Sequence, residues 1–203
     1  MAGKRQQKGQ DTATRILDAA ERLVQVRGFN GFSYADVAAE LEITKASLHY
    51  HFAGKAELGE ALIERYATRF GEALTQIETS PIDAAAKLDA YAKLYADVLR
   101  AKRMCLCGML AAEYRTLPKP MQNAVIRFFD ENEAWLEAVL VQGQGEGSLA
   151  FAGSASDAAR MIVSALEGAM LVSRPYADPA RFQATAERLF ASLSSSSALA
   201  PSR

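Results

Sequence analysis

The sequence predicts an all-α protein. Apolar residues recur every three or four positions along almost the whole chain of 203 residues, which is the period of one helix face. The alternating, β-branched segments that predict strands are absent from the sequence. Half of the residues are apolar, so the chain can bury a substantial core in one or two domains.

The charge is nearly balanced overall and mildly positive at the N-terminal end. The formal net charge is −1, whereas residues 1–55 carry eight Lys or Arg against six acidic residues. This excess alone does not predict a nucleic-acid binder. Three of those positive charges fall in residues 1–10, which lack an apolar run and predict a flexible basic arm. No apolar run approaches the roughly 20 residues that span a bilayer, so a cytoplasmic protein outside the membrane is expected.

Three short helices are predicted near the N-terminus. The first runs from about Thr12 to Arg27, and Gly28 suits the left-handed position that follows a helix. Ser33 and Asp36 have the spacing of a capping box at the start of the second. Thr44 supplies the capping hydroxyl of the third. A short helix, a turn and a capped helix form a helix-turn-helix, whose second helix fits a DNA major groove of about 12 Å.

Longer helices are predicted from Lys55 onward. Ser80, Pro81 and Asp83 fit an N-cap, a first-turn proline and a first-turn acid. Gly143 begins a series of glycines that would close the seventh helix. The six predicted segments are about 55–78, 80–101, 104–115, 120–143, 154–173 and 179–192. The serine-rich residues 194–203 predict a disordered tail.

The third helix presents a polar outer face. With Leu48 directed inward, a step of 100° per residue turns Ala46 and Tyr50 to the opposite side. Hydroxyl and ammonium groups there can donate to phosphates or base edges, and the small Ala46 allows close approach. Lys55, at the head of the next helix, is placed to meet a phosphate. The candidate DNA contacts are Thr44, Lys45, Ala46, Ser47, His49, Tyr50 and Lys55.

The segment VAAELEITKASLHYHFAGKAEL at residues 37–58 resembles the signature of the TetR family of transcriptional regulators. The matching residues are Val37, Ala38, Ile43, Leu48, Tyr50, His51, Phe52, Lys55 and Leu58. Two residues depart from the pattern: Glu42 stands where the family usually has a turn glycine, and His49 where it usually has an aromatic residue. A non-glycine residue in a left-handed turn costs about 1 kcal/mol.

The resemblance implies a nine-helix architecture with two functional parts. A helix-turn-helix domain is expected over residues 11–54, and a ligand-binding and dimerisation domain over 55–193. The implied function is that of a repressor, released from a palindromic operator by a small, mostly apolar inducer. A homodimer through the last two helices, about 155–173 and 179–192, is implied as well. The small residues Ala158, Ala159, Ala165, Gly168 and Ala169 are compatible with close helix packing there.

Large and flexible side chains are concentrated in the second half of the chain. The resemblance implies that residues 83–142 enclose the inducer pocket, and aromatic and methionine linings suit a mostly apolar ligand. Glu113, Arg115 and Glu167 are possible polar anchors. The candidate pocket residues are Tyr91, Tyr95, Met104, Cys105, Met109, Phe128, Phe129 and Trp135.

Cys105 and Cys107 keep a second mechanism open. Two positions apart on a helix, they point to opposite sides, so buried small hydrophobes are the default. The alternative is the same DNA-binding scaffold gated by thiol modification at these cysteines. A helical enzyme is a weaker alternative, because nucleophilic catalysis needs a base and both histidines are more than 50 positions away. His49 and His51 lie about 200° apart on their helix, so neither a metal nor another cofactor is expected.

Overall fold

The computed structural model describes residues 2–194, with side chains from Asp11 onward. The described residues form nine α-helices and two single-turn 3₁₀ helices, and they contain no strand longer than an isolated bridge. In chain order the α-helices are α1 Ala2–Arg27, α2 Tyr34–Leu41, α3 Lys45–His51, α4 Lys55–Thr79, α5 Ala84–Arg100, α6 Leu106–Ala112, α7 Lys119–Glu146, α8 Ala155–Ser173 and α9 Pro179–Ala191. The all-α, nine-helix prediction is confirmed.

The chain divides into two compact units. Unit 1 comprises the residues up to Arg69 together with Arg103–Phe128, and unit 2 comprises Phe70–Lys102 together with the residues from Phe129 onward. Two of the three division points fall inside α4 and α7, and the third lies between α5 and α6. The boundary predicted at residue 55 separates a DNA-binding from a ligand-binding domain, whereas these units are defined by packing. The predicted boundary stays a prediction.

The core of unit 1 is built on apolar faces of α1 to α4. Ile16, Ala20 and Val24 of α1 are fully buried, as the helical spacing predicts. Leu48 is the one buried residue of α3. Phe52 follows α3 immediately and is also buried, so the short helix is held at its middle and at its end.

The core of unit 2 is formed by α5, α8 and α9, which pack on one another. Its largest fully buried side chains are Tyr91, Tyr95 and Phe182. α7 contributes Leu136 and Leu140.

Four helices differ from their predicted bounds, and α6 spans Leu106–Ala112 rather than about 104–115. The backbone of α1 is helical from Ala2 rather than Thr12, over part of the predicted basic arm; Gln, Lys and Arg are good helix formers and no proline interrupts them. α5 is capped by Asp83, whose carboxylate accepts from Ala86 N–H at 2.8 Å. The Ser80 hydroxyl instead donates to the carbonyl of Gln76, because it still belongs to the end of α4.

The end of α7 also lies later than predicted. The helix passes through Gly143 and ends at Glu146, with Gly147 in the left-handed region at φ 77°. Gly143 serves close packing instead of termination, since a Cβ there would lie 2.4 Å from the Leu149 side chain. Leu149 also pairs with Ser194 in the isolated bridge. Apart from Ser194, the predicted disordered tail lies outside the described residues.

Candidate functional site

Two predicted caps fix the helix-turn-helix in unit 1. The Asp36 carboxylate accepts from both the N–H of Ser33 at 2.7 Å and its hydroxyl at 2.6 Å. These two hydrogen bonds, led by the hydroxyl, lower the pKa of Asp36. At the start of α3, the Thr44 hydroxyl accepts from Ser47 N–H at 3.1 Å. Both helices therefore begin where the sequence predicts.

The turn between the two helices is left-handed. Glu42 has φ 55° and ψ 40°, the conformation for which glycine is favoured. This conformation costs about 1 kcal/mol for a non-glycine residue. The hydrogen bond from the N–H of Ile43 to the carbonyl of Ala38, at 3.0 Å, offsets this cost.

The outer face of α3 lies in solvent. Lys45, Ala46, His49 and Tyr50 are exposed, and Ser47 is half-buried. Tyr50 is 85% exposed, the largest value among the large apolar side chains described. A ring left in water on a helix that is otherwise well anchored is available for a partner.

His49 has contacts that the sequence did not predict. Its Nδ1 lies 3.1 Å from the carbonyl oxygen of Ala53, and its ring centroid lies 4.9 Å from that of Tyr34. The Tyr34 hydroxyl donates to the carbonyl of Phe52 at 3.1 Å, across the end of α3. Tyr34 was missed because the first residue of a helix carries no periodic signal, although its place directly after the Ser33 cap is visible in the sequence.

Tyr34 makes the stability of unit 1 sensitive to alkaline pH. Burial, followed by the nearby Glu57 carboxylate, raises the pKa of Tyr34 from 10.0 to about 12. The unfolded chain therefore loses this proton at a lower pH than the folded chain, so stability falls as the pH rises from about 10 to about 12. We expect the urea midpoint of the wild-type protein to fall more steeply over this range than that of Tyr34→Phe. Parallel pH profiles for the two proteins would contradict this assignment.

Lys55 is directed into unit 1, whereas the sequence predicts that it meets a phosphate; that phosphate contact stays a prediction. Its ammonium donates to the carbonyl of Phe29 and, at 2.6 Å, to that of Phe32. It also lies 4.6 Å and 4.3 Å from the centroids of these two rings. Burial lowers the pKa of Lys55, against the opposing effects of Glu113 and Asp36. An ammonium has three donors, so two of them are used inside the protein.

Glu113 holds the same loop from its other side. We call residues 28–33, which connect α1 to α2, the Phe29 loop. The Glu113 carboxylate accepts from Phe29 N–H at 2.6 Å and from Asn30 N–H at 3.2 Å. It lies against Gly28, where an added Cβ would come within 2.7 Å of Oε1. The carboxylate thus holds the loop, and its predicted role as a ligand anchor stays a prediction.

The candidate pocket residues of unit 1 lie around α6. Cys105 is buried, and its Sγ caps α6 by accepting from Gly108 N–H at 3.4 Å. The Tyr66 hydroxyl lies 3.6 Å from the same sulfur, and the Tyr66 ring lies 5.7 Å from that of Phe128. Met104 is buried and Met109 half-buried.

The candidate pocket residues of unit 2 form an aromatic and polar cluster. The Tyr91 hydroxyl lies 3.0 Å from that of Tyr95 and donates to Asn132 Oδ1 at 3.1 Å. The Tyr91 ring stacks on Trp135, with centroids 5.6 Å apart and an interplanar angle of 19°. The Trp135 indole Nε1 is buried and has no hydrogen-bond partner among the described residues. Asn132 was missed, although a polar residue one turn before Trp135 on an apolar helix face is a usable signal.

Phe129, the last of the candidate pocket residues, is half-buried in unit 2. Among residues 2–194, no cluster of His, Cys, Asp and Glu has the arrangement of a metal site. None of the helices described combines the length and the apolar character that crossing a membrane requires.

A short capped helix with an exposed polar face, presented by a helical domain, defines a helix-turn-helix DNA-binding regulator. Comparison with known proteins gives the family. The family model described as "Bacterial regulatory proteins, tetR family" matches residues 16–62. The model described as "Tetracyclin repressor-like, C-terminal domain" matches residues 84–189, more than half of the chain. The chain belongs to the TetR family of transcriptional regulators, and it is a transcription factor rather than an enzyme.

Individual relatives agree with this assignment. A TetR-family transcriptional regulator from Agrobacterium tumefaciens has 30% sequence identity and a TM-score of 0.88, over 92% of this chain and 99% of that one. The transcriptional repressor NemR of Escherichia coli K12 is 25% identical over 81% of this chain and 84% of its own length. The repressor DhaR of Mycobacterium sp. strain GP1 is 21% identical over 77% and 79%. Regulators of this family bind operator DNA and act as dimers with small-molecule effectors.

Proposed function

We propose that the protein is a cytoplasmic repressor that leaves a palindromic operator when a small, mostly apolar effector binds. The observation that carries this proposal is the outer face of α3, where Tyr50 is 85% exposed on a helix anchored by Leu48. The relatives NemR and DhaR are named as transcriptional repressors, which supports repression over activation.

The proposed DNA contacts divide into two kinds. Thr44, Lys45 and Ser47 lie near the start of α3, where hydroxyl and ammonium donors meet phosphates or base acceptors. Ala46 lets the helix approach the base edges, and Tyr50 supplies a ring for a thymine methyl or a hydroxyl for a phosphate. His49 belongs to the interface through its place on the same exposed face. We revise Lys55 from a direct contact to a residue that fixes the Phe29 loop.

We infer that the dimer forms through α8 and α9. α8 carries an exposed stripe at helical spacing, formed by Met161, Gly168, Leu171 and Val172. A Cβ at Gly168 would meet no other atom within 4 Å, so this face is open to a partner helix. Ala158 and Ala159 are buried within their own unit and are removed from the predicted interface.

The interface prediction is tested by placing a charge in the stripe. Val172 is 61% exposed, so Val172→Asp leaves the folded chain intact but would bury a carboxylate in the dimer. We expect sedimentation velocity to show monomer at concentrations where the wild-type protein is dimeric. Ile126→Asp, at a 44% exposed position on α7, is the matched control and should remain dimeric. Equal dimer fractions for both variants would remove α8 from the interface.

The effector site is proposed to include the Tyr91, Asn132 and Trp135 cluster of unit 2. Stacked ring faces suit a flat apolar molecule, and the buried Trp135 Nε1 offers a donor that no described residue satisfies. The effector is therefore expected to carry at least one hydrogen-bond acceptor. Trp135 is the only tryptophan of the chain, so its fluorescence reports occupancy of this cluster.

The proposed coupling runs through the Phe29 loop. Glu113, which holds this loop, follows directly after α6, and Cys105 caps the other end of α6. A displacement of α6 therefore moves the carboxylate that holds the N–H groups of the loop, and the loop leads into α2. Effector binding would in this way favour one position of α6, and DNA binding would favour another.

The whole proposal is tested by selecting bound duplexes from a random DNA library. We expect a palindromic site with half-sites roughly 34–36 Å apart or somewhat wider. Compounds that quench Trp135 fluorescence and raise the melting temperature should then lower the affinity for that site. Failure to enrich any sequence would overturn the DNA-binding part. If a DNA sequence is enriched but no stabilising compound lowers the affinity for it, the effector part of the proposal is overturned.

Gating by thiol modification is a second candidate, favoured by the position of Cys105. Its sulfur accepts from Gly108 N–H and lies beside the Tyr66 hydroxyl, donors that would also stabilise a thiolate. Modification would remove the cap of α6, the element that carries Glu113. Mild oxidant should then abolish operator binding in Cys107→Ser but not in Cys105→Ser, with mass spectrometry locating the modified sulfur. Loss in both variants would exclude this mechanism at Cys105.

A further inference from the structure

Unit 1 contains a charged cleft that has no part in the function proposed above. It has a volume of about 390 Å³, in the range of small-molecule sites. We call it the arginine cleft. Its charged lining residues are Arg15, Arg22, Arg65, Arg69 and Arg103, with Asp18, Glu21 and Glu40. Five guanidinium groups against three carboxylates leave an excess of two positive charges.

The carboxylates of the arginine cleft are already paired. Glu21, only 7% exposed, accepts from Arg69 at 2.6 Å and from Arg65 at 2.8 Å. Asp18 pairs with Arg65 at 2.8 Å, and Glu40 pairs with Arg22. These contacts neutralise the acids and hold the guanidinium groups of Arg65 and Arg69 in fixed positions.

Donors remain in the cleft after this pairing. Arg65 Nε is buried and has no hydrogen-bond partner among the described residues. Arg15 makes one long bond, 3.5 Å to the carbonyl of Leu41, and Arg103 makes one of 3.4 Å to Gln25. Since each guanidinium has five N–H donors, most of the donors of these two arginines have no partner among the residues that the structure describes. A buried donor without a partner, beside cations with spare donors, is a place where an anionic acceptor would gain hydrogen bonds.

The shape of the cleft constrains the ligand. Arg15 lies on α1, and Arg103 bonds Gln25, ten residues further along the same helix. Ten residues of helix extend about 15 Å, so Arg15 and the residue that Arg103 bonds are well separated along α1. One guanidinium can donate two parallel N–H bonds to two oxygens of the same phosphate. This geometry favours phosphate over a halide or a neutral molecule as the ligand.

We propose that the arginine cleft of unit 1 binds a small phosphate-bearing dianion. The ligand matches the double positive excess, accepts from Arg65 Nε and contacts Arg15 or Arg103. The site belongs entirely to unit 1 and does not depend on the effector cluster around Tyr91. A phosphate of the DNA backbone has the same chemistry, and the experiment below separates the two sources.

The test is calorimetric titration of the DNA-free protein with inorganic phosphate and with pyrophosphate, in chloride buffers of matched ionic strength. We expect saturable binding at one site per chain. Arg15→Ala/Arg103→Ala should weaken it by about tenfold or more, the loss of at least one charge-assisted hydrogen bond. Arg65→Lys keeps the positive charge and loses the Nε donor, so it should weaken binding as well. Arg127→Ala, an exposed arginine of unit 1 outside the cleft, should bind as the wild-type protein does.

Circular dichroism and urea unfolding of each variant separate loss of the site from loss of the fold. Unaltered affinity in the folded double variant, or an equal loss in Arg127→Ala, would overturn the proposal. So would the absence of saturable binding in the wild-type protein. If the double variant instead lowers only the salt dependence of operator binding, the cleft belongs to the DNA backbone and the free dianion is excluded. Operator selection by the wild-type protein is unaffected by these outcomes, so the proposed function stands or falls separately.

Discussion

Replacing Tyr50 by alanine is expected to lower operator affinity about tenfold to a hundredfold, the value of one good groove or backbone contact. The ring is 85% exposed and packs only edge-on against His51, so the variant should unfold at the wild-type urea midpoint. Fluorescence anisotropy with the selected operator measures the affinity. Because Tyr50 buries almost nothing in the free protein, a lost affinity reports a lost DNA contact rather than a damaged domain.

Two further substitutions test which group of Tyr50 contacts DNA and whether the loss of affinity is specific to α3. Tyr50→Phe keeps the ring and loses the hydroxyl, so it should retain affinity if the ring meets a thymine methyl and lose it if the hydroxyl meets a phosphate. Val141→Ala removes another exposed apolar side chain, 56% accessible, on α7 and outside both the helix-turn-helix and the proposed dimer interface. If Val141→Ala lowers affinity as much as Tyr50→Ala, the outer face of α3 is not the DNA contact.

Replacing Lys55 by methionine is expected to cost about 2–3 kcal/mol of unfolding free energy. Hydrogen bonds from a charged donor contribute about 1.5–3 kcal/mol each, and partial exposure lets water replace some of this. The methionine keeps the length of the chain beside Phe29 and Phe32 but leaves two carbonyls without the ammonium. Urea unfolding at fixed protein concentration measures the loss. Operator binding should weaken as a consequence of the disordered Phe29 loop.

Lys45→Met is the matched control for Lys55→Met. Lys45 is exposed at the start of α3, so its loss should leave stability within about 0.5 kcal/mol and reduce the salt slope of operator binding by about one. Lys55→Met should thus lower mainly the stability, whereas Lys45→Met should remove mainly a phosphate contact. A wild-type urea midpoint for Lys55→Met, together with a reduced salt slope, would restore the direct phosphate role first predicted for Lys55.

The helices and most of their caps could be predicted because their signals are local. The Ser33 and Asp36 pair, the Thr44 cap and the Gly28 terminus each depend on residues within a few positions of one another. Asp83 shows the limit of such signals: an acid three residues after a serine and two after a proline fits a first-turn residue and an N-cap equally well. Only the hydrogen bond to Ala86 decides between them.

The roles of Lys55 and Glu113 could not be predicted, for two physical reasons. A lysine at a helix start suits a phosphate and suits backbone carbonyls of a neighbouring loop, and the sequence does not say which acceptor is closer. Glu113 meets Phe29 across 84 positions of the chain, a separation over which no periodic pattern carries information. The sequence indicated the tyrosine and tryptophan cluster of unit 2 by residue type. Which of its side chains hydrogen-bond to one another could be read only from the structure.

The shortness of α3 has a consequence for how this regulator can diverge. Seven residues are too few for a helix to persist alone, and Leu48 is the single buried side chain within it. Apart from the Thr44 cap and the contacts of His49, the groove-facing positions therefore contribute little to the folding free energy, while Leu48, Phe52, Lys55 and Glu113 contact no proposed base. Duplicated copies can accordingly acquire new operators by substitutions on one face of two helical turns, with no compensating change elsewhere in the chain.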